Sequence, residues 1–207
     1  MVSFKNNTSL IINQNQQNDL IIENGHAYGI EFNNDFNIKS WKGNLNYTYS
    51  RSFRKIIASY SDKINEEQNN YPSNYDRPHV LNISIHKWLS KRLKVNTFFT
   101  FQSGQPTSLP TEILNGTEKY SFDYTFRNKY RLAATHRLDL SVNFYPKTKP
   151  NKKWHSYWSI GAYNIYGQKN PISAYMGIND NSPNLMTRYQ FSPFGEMIPF
   201  ISYNFNF

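Results

Sequence analysis

No cysteine occurs among the 207 residues, which removes a disulfide framework, thiolate metal ligation and a cysteine nucleophile together. No run approaches the roughly 18 consecutive apolar residues that a membrane helix needs. After Met1 come Val-Ser-Phe-Lys-Asn-Asn-Thr, without the charged and apolar regions of a secretory signal. An exported protein of this sequence is therefore expected to have further chain encoded upstream. The net charge is +9, yet Lys and Arg are scattered apart from short clusters at Lys91-Arg92 and Lys147 to Lys153. Nucleic acid is not the expected partner, since lipid headgroups or solvated turns account for such clusters equally well. No Ser/His/Asp set, acidic pair or Gly-rich phosphate loop stands out. His26, His79, His86, His136 and His155 show no paired spacing with carboxylates, so neither a metal nor a cofactor is expected.

What is present is aromatic. Tyr (16) and Phe (15) are abundant, and aromatic residues make up 17% of the chain. The mean hydropathy of −0.72 looks soluble, but alternating strands average to a polar value even when one face is greasy. From Ile201 on, Ile201, Tyr203, Phe205 and Phe207 alternate with Ser202, Asn204 and Asn206. Strict period-two alternation marks a strand with one apolar and one polar face.

The same pattern predicts seven strands in all. They are 27–36, 41–52, 80–88, 93–103, 136–145, 154–166 and the C-terminal 198–207. Each is about the ten residues that a tilted strand needs to cross a bilayer core. Their connections alternate in length. Short turns are expected at 37–40, 89–92 and 146–153, and links of more than 25 residues at 53–79, 104–135 and 167–197. Up-and-down membrane barrels sort their loops this way, with short periplasmic turns and long extracellular loops. The expected fold is thus all-β, an antiparallel up-and-down transmembrane β-barrel segment of about seven strands. Seven strands cannot close a membrane barrel, and an open edge leaves backbone groups unpaired in hydrocarbon. A larger barrel is therefore implied. Residues 1–26 do not alternate; they read as mostly irregular, a loop remnant or the end of a preceding strand near Ser9 to Ile12, with 13–18 as a polar loop tip. Residues 27–207 supply the barrel strands.

An ordered set of motifs runs through the chain. Gly25-His26-Ala27-Tyr28-Gly29 precedes WKGNLNYTYSRS at 41–52, then Tyr75-Asp76-Arg77-Pro78-His79 and Gln102-Ser103-Gly104-Gln105-Pro106. Tyr130-Arg131-Leu132, His136-Arg137-Leu138-Asp139, Tyr163-Asn164-Ile165-Tyr166 and the terminal Pro199 to Phe205 complete it. Together these resemble the C-terminal part of TonB-dependent outer-membrane receptors of the Bacteroidetes type, over residues 25–207. The resemblance implies a barrel of about 22 strands closed by an N-terminal plug, of which this chain would be the last part. It implies energised uptake of an unknown ligand, contact with TonB only through a region without a counterpart here, and location in the outer membrane. It also implies that Ile201, Tyr203, Phe205 and Phe207 form the signal read by the barrel-assembly machinery. Charged wall positions Glu31, Asp35, Arg137 and Asp139 are expected to face the lumen, either touching ligand or forming an ion-paired wall. Asp76 to His79 are expected to be structural, with Asp76 and Arg77 pairing locally and Pro78 suited to a strand's start; the alternative is a binding element at the barrel mouth. Two other readings compete: a soluble carbohydrate-binding β-sandwich using exposed Trp and Tyr, and an outer-membrane enzyme built on Ser84 and His86.

Overall fold

The computed structural model describes residues 2–13, 16–59, 70–110, 112–115, 120–123, 127–147, 155–179 and 182–206, and these contain no helix. Fifteen strands are present: β1 (Val2–Asn13), β2 (Gln16–Ile38), β3 (Trp41–Ser59), β4 (Asn70–Pro72), β5 (His79–Ser90), β6 (Leu93–Gln102), β7 (Pro106–Thr107), β8 (Glu112–Asn115), β9 (Tyr120–Asp123), β10 (Tyr130–Arg131), β11 (Thr135–Phe144), β12 (His155–Tyr163), β13 (Ser173–Asn179), β14 (Ser182–Phe191) and β15 (Ile198–Asn206). One antiparallel sheet runs β1-β2-β3-β5-β6-β11-β12-β15, with β4 added beside β3. Each long strand pairs with the next one along the chain, so the sheet is a meander. β1 and β15 are its two edges and do not pair with each other.

All seven predicted strands are there, but there are eight long strands rather than seven. The extra one overturns the expectation that 1–26 is irregular. β1 spans twelve residues, and β2 already begins at Gln16. Within the polar tract expected as a loop tip, Asn13 pairs with Gln16, while Gln14 and Asn15 lie outside the described residues. The strand predicted from Trp154 to Tyr166 begins at His155 within the described residues, which exclude Trp154. It stops at Tyr163 because Asn164 adopts φ +52°, a left-handed conformation that Asn tolerates better than most residues.

The turns Lys39-Ser40 and Lys91-Arg92, and the connection from β11 to β12, join neighbouring antiparallel strands. Alternation of strand direction puts all three at one end of the sheet, as the sequence predicted. The opposite end carries the long insertions, and these are not structureless. β7 pairs with β10, β8 with β9, and β13 with β14. Residues 53–59, expected to be loop, continue β3. At 23 and 19 residues, β2 and β3 exceed the nine to eleven that cross a bilayer core, whereas β6, β11, β12 and β15 have nine or ten.

The register places the alternating residues on two chemically different faces. Along one run Leu45 pairs with Ile83, Ile83 with Phe99, and Phe99 with Leu138. Along another, Val95 pairs with Val142, Val142 with Ile160, and Ile160 with Ile201. Phe144, Trp158 and Tyr203 form a third. The other face presents Asn44, Asn46, Asn82, Ser84, Thr100, Asn96, Ser141, Ser159 and Ser202 at the intervening positions. Among the described residues, the buried aliphatic and aromatic side chains are Ile56, Tyr71, Leu109 and Leu132. The apolar face of the sheet is instead open: Ile30 is 74% exposed, Ile201 65%, Phe205 59% and Ile160 56%. Burying one such side chain is worth about 1.5–3 kcal/mol, so covering this face would be strongly favourable.

Candidate functional site

Two buried carboxylates knit together the end of the sheet that bears the insertions. Asp76 is 1% exposed and sits between β4 and β5. Its Oδ1 accepts from Arg51 Nε at 3.1 Å and from the Ser52 backbone N–H at 2.7 Å. Arg131 of β10 donates Nη2 to its Oδ2. The other terminal nitrogen, Nη1, reaches the carbonyls of Asp76 (2.6 Å) and Gly104 (3.0 Å). The bound pair is therefore Asp76 with Arg51 and Arg131, not the local Asp76–Arg77 pair expected from sequence. Arg77 turns away to Gln102 and Gln105. Gly104 is required here, because a Cβ at that position would stand 1.7 Å from the Leu132 carbonyl oxygen.

Glu23, also 1% exposed, forms the second knot. Arg54 Nη1 lies 2.9 Å from Oε2 and Arg127 Nη1 3.2 Å from Oε1, while Tyr71 donates its hydroxyl to Oε1. Asn128 adds a bridge, donating its side-chain amide to the Pro72 carbonyl at 2.8 Å and its backbone N–H to Ser108 Oγ at 3.0 Å. Residues more than 50 positions apart are thus held together at one end of a single-layer sheet. The chemistry is that of an anchor: each carboxylate is saturated by donors and faces no open space.

These knots respond to pH in opposite directions. Burial alone would raise the Asp76 carboxyl, but the Ser52 N–H, Arg51 and Arg131 outweigh it and hold it below its ordinary value. Its contribution is present above the ordinary Asp range and is lost as pH falls through the lowered folded value. Burial, and then the hydrogen bond to Glu23, push Tyr71 from 10.0 up to about 12. Its contribution is complete below pH 10.0 and is lost as pH rises toward about 12. Hydrogen exchange over 70–78 is therefore expected to accelerate at both extremes, with the broad middle range flat.

Beside the Asp76 knot lies a cleft of about 300 Å³ lined by Arg77, Gln102, Gln105, His136, Arg137 and Asn170, among others. A second hollow of about 420 Å³ lies on the polar face, with Ser84, His86, Asn96, Asp139 and Ser141 in its lining. Ser84, His86 and Asp139 do not hydrogen-bond to one another. Phe98 pairs with both Ser84 and Asp139 and so stands between them. Among the described residues no group of three His, Cys, Asp or Glu side chains could hold a metal.

Of the four charged wall positions, Arg137 and Asp139 pair at 3.0 Å on the polar face, and Asp139 also accepts the Asn164 backbone N–H at 2.9 Å. Asp35 accepts from Asn44 at 2.6 Å. Glu31 faces the same side of β2 but lies well away from the Arg137–Asp139 pair, so the four do not form one site. Ile201, Tyr203 and Phe205 share the apolar face of β15, with Trp158 and Tyr203 rings 4.8 Å apart; Phe207 lies outside the described residues. Glu23, Arg54, Tyr71 and Arg127 escaped sequence reading. Glu23 fell in a stretch without alternation, and nothing local links it to partners 31 to 104 residues away.

No family model, curated protein or solved structure matches the chain.

Proposed function

We propose that this chain is the C-terminal wall of the barrel of a TonB-dependent outer-membrane receptor, contributing membrane-crossing strands and part of the extracellular surface that meets an imported ligand. The observation that carries the reading is the open apolar face of a single-layer antiparallel meander, backed by a polar face. Hydrocarbon would cover the first and a water-filled lumen the second. Strand lengths on β6, β11, β12 and β15 suit a bilayer core, and β2 and β3 would project beyond it on the ligand side. A soluble carbohydrate-binding sandwich would need a second sheet over the apolar residues, and Ile30, Ile160 and Ile201 carry none. The motif series at 25–31, 41–52, 75–79, 102–106 and 136–139 supports the receptor class. Transport would use a plug and a TonB contact supplied by other segments, and the terminal Ile201, Tyr203 and Phe205 would be engaged by the assembly machinery.

The open edges supply the test. Eight strands equal the smallest closed barrel, but β1 and β15 are unpaired with each other, and each bare N–H or C=O in hydrocarbon costs several kcal/mol. Exported alone to an outer membrane, the chain is expected to be degraded or to persist only as an oligomer that pairs those edges. Gel mobility before and after heating, with conductance in planar bilayers, reads the result. A monomeric, heat-resistant, ion-conducting species would contradict the reading.

A further inference from the structure

The three short connections are tied to one another. The Trp88 N–H donates to the Ser40 carbonyl (3.4 Å), joining the β2–β3 turn to β5. The Tyr145 N–H donates to the Arg92 carbonyl (2.8 Å) and Arg92 Nε to the Tyr145 carbonyl (3.1 Å), joining the β5–β6 turn to the chain after β11. The described parts of the three segments (35–44, 85–96, and 142–147 with 155–158) hold seven of the chain's 23 Lys and Arg but only one carboxylate, Asp35, of its 14. Their net charge is +6, against +9 for the whole chain. Cations that look scattered along the sequence are gathered at one end of the sheet.

These cations also lack carboxylate partners. Every salt bridge among the described residues uses Arg51, Arg54, Arg127, Arg131 or Arg137, none of them in the three segments. Several lie instead over exposed rings. Lys87 Nζ is 4.3 Å from the Trp41 ring centre, Arg92 is 5.1 Å from Phe144, and Lys94 5.8 Å from Trp88. Trp41, Phe144, Trp158 and Tyr203 are each more than 40% exposed. Amphipathic rings with long cationic stems beside them suit a boundary between hydrocarbon and headgroups, where the ring lies at the edge of the apolar phase and the cation reaches phosphate.

We infer that this end of the sheet is a binding belt for anionic phospholipid, its Lys and Arg on headgroup phosphates and its aromatic rings at the hydrocarbon boundary. The inference rests on the membrane reading above and adds a lipid class to it. Anionic lipid attracts surface cations over roughly a Debye length, and seven cations against one carboxylate supply the complementary charge.

The test floats the full chain, diluted from detergent, with vesicles of phosphatidylcholine alone or mixed with phosphatidylglycerol, at low and high salt. Phosphatidylglycerol is expected to raise the bound fraction constant by at least about tenfold at low salt, and high salt should erase that gain without abolishing binding to neutral vesicles. The triple variant Lys39→Gln, Lys91→Gln, Lys147→Gln, all exposed positions, should lose most of the gain. The triple variant Lys55→Gln, Lys169→Gln, Arg188→Gln, exposed at the opposite end, should keep it. Equal binding to both vesicles, or equal loss in both variants, overturns the belt while leaving the membrane reading standing. Displacement of the chain from anionic vesicles by a short DNA duplex also overturns it, in favour of a polyanion site. Failure to bind any vesicle overturns both.

Discussion

Leu140→Arg is expected to weaken insertion into a bilayer by about 2–4 kcal/mol, the cost of a cation on the lipid face of a barrel near its midplane. Leu140 pairs with Thr97 on one side and Ala162 on the other, in the middle of β11, and is 39% exposed on the apolar face. Ser141→Arg, one residue along, turns to the opposite face, where Asn96 and Gly161 are its neighbours, and is expected to change insertion by less than about 1 kcal/mol. Binding curves to neutral vesicles would read both. Single-residue alternation leaves no other variable: backbone, depth and substituent are nearly the same. If both variants lose affinity equally, the two faces do not meet different media.

Asp76→Ala should be the most damaging change at the opposite end. It removes a carboxylate whose side chain is fully buried and leaves Arg51 and Arg131 facing each other, 27% and 33% exposed. Removing one partner of a buried ion pair costs about 3–5 kcal/mol, and the partial exposure of both arginines sets the expectation at about 3 kcal/mol. The loss is local. Proteolysis and hydrogen exchange should rise over 70–78 and 103–110, while exchange in β5, β6 and β11 stays slow. Asp76→Leu combined with Arg131→Met should recover a good part of the loss, because it removes a stranded charge along with its partner. A single mutant that opens the strands as readily as the insertions would show that Asp76 acts through the whole sheet.

The strands and their faces were legible because each is a short run in which polarity flips every residue, a signal that needs no distant information. Leu138, Leu140, Val142 and Phe144 against Arg137, Asp139, Ser141 and Asn143 is the plainest case. The three hairpins were legible because Asn37 to Ser40 and Leu89 to Arg92 leave no room for anything longer than a turn. β1 was not, because Lys5, Asn6, Asn7, Thr8 and Ser9 interrupt alternation. Its pairing to β2 also shifts register between Phe4 and Asn7. The knots of Asp76 and Glu23 were hidden for another reason. Arg131 meets Asp76 across 55 residues, and Arg127 meets Glu23 across 104; sequence spacing holds no trace of such pairs. Asp76 and Arg131 were both within quoted motifs, so their presence could be seen but not their contact. The basic end was missed because its charge is spread over three segments that only the sheet topology joins.

The most direct measurement of the central claim is quencher accessibility of spin labels on the chain bound to vesicles. Labels at Ile83, Phe99, Leu140 and Tyr203 should relax with a lipid-soluble quencher and be shielded from a polar one. Labels at Asn82, Ser141 and Asn204, each one residue away from a member of the first set or next to it in register, should respond the other way. The reverse pattern, with the apolar set shielded from lipid and the polar set in contact with it, would contradict a membrane wall.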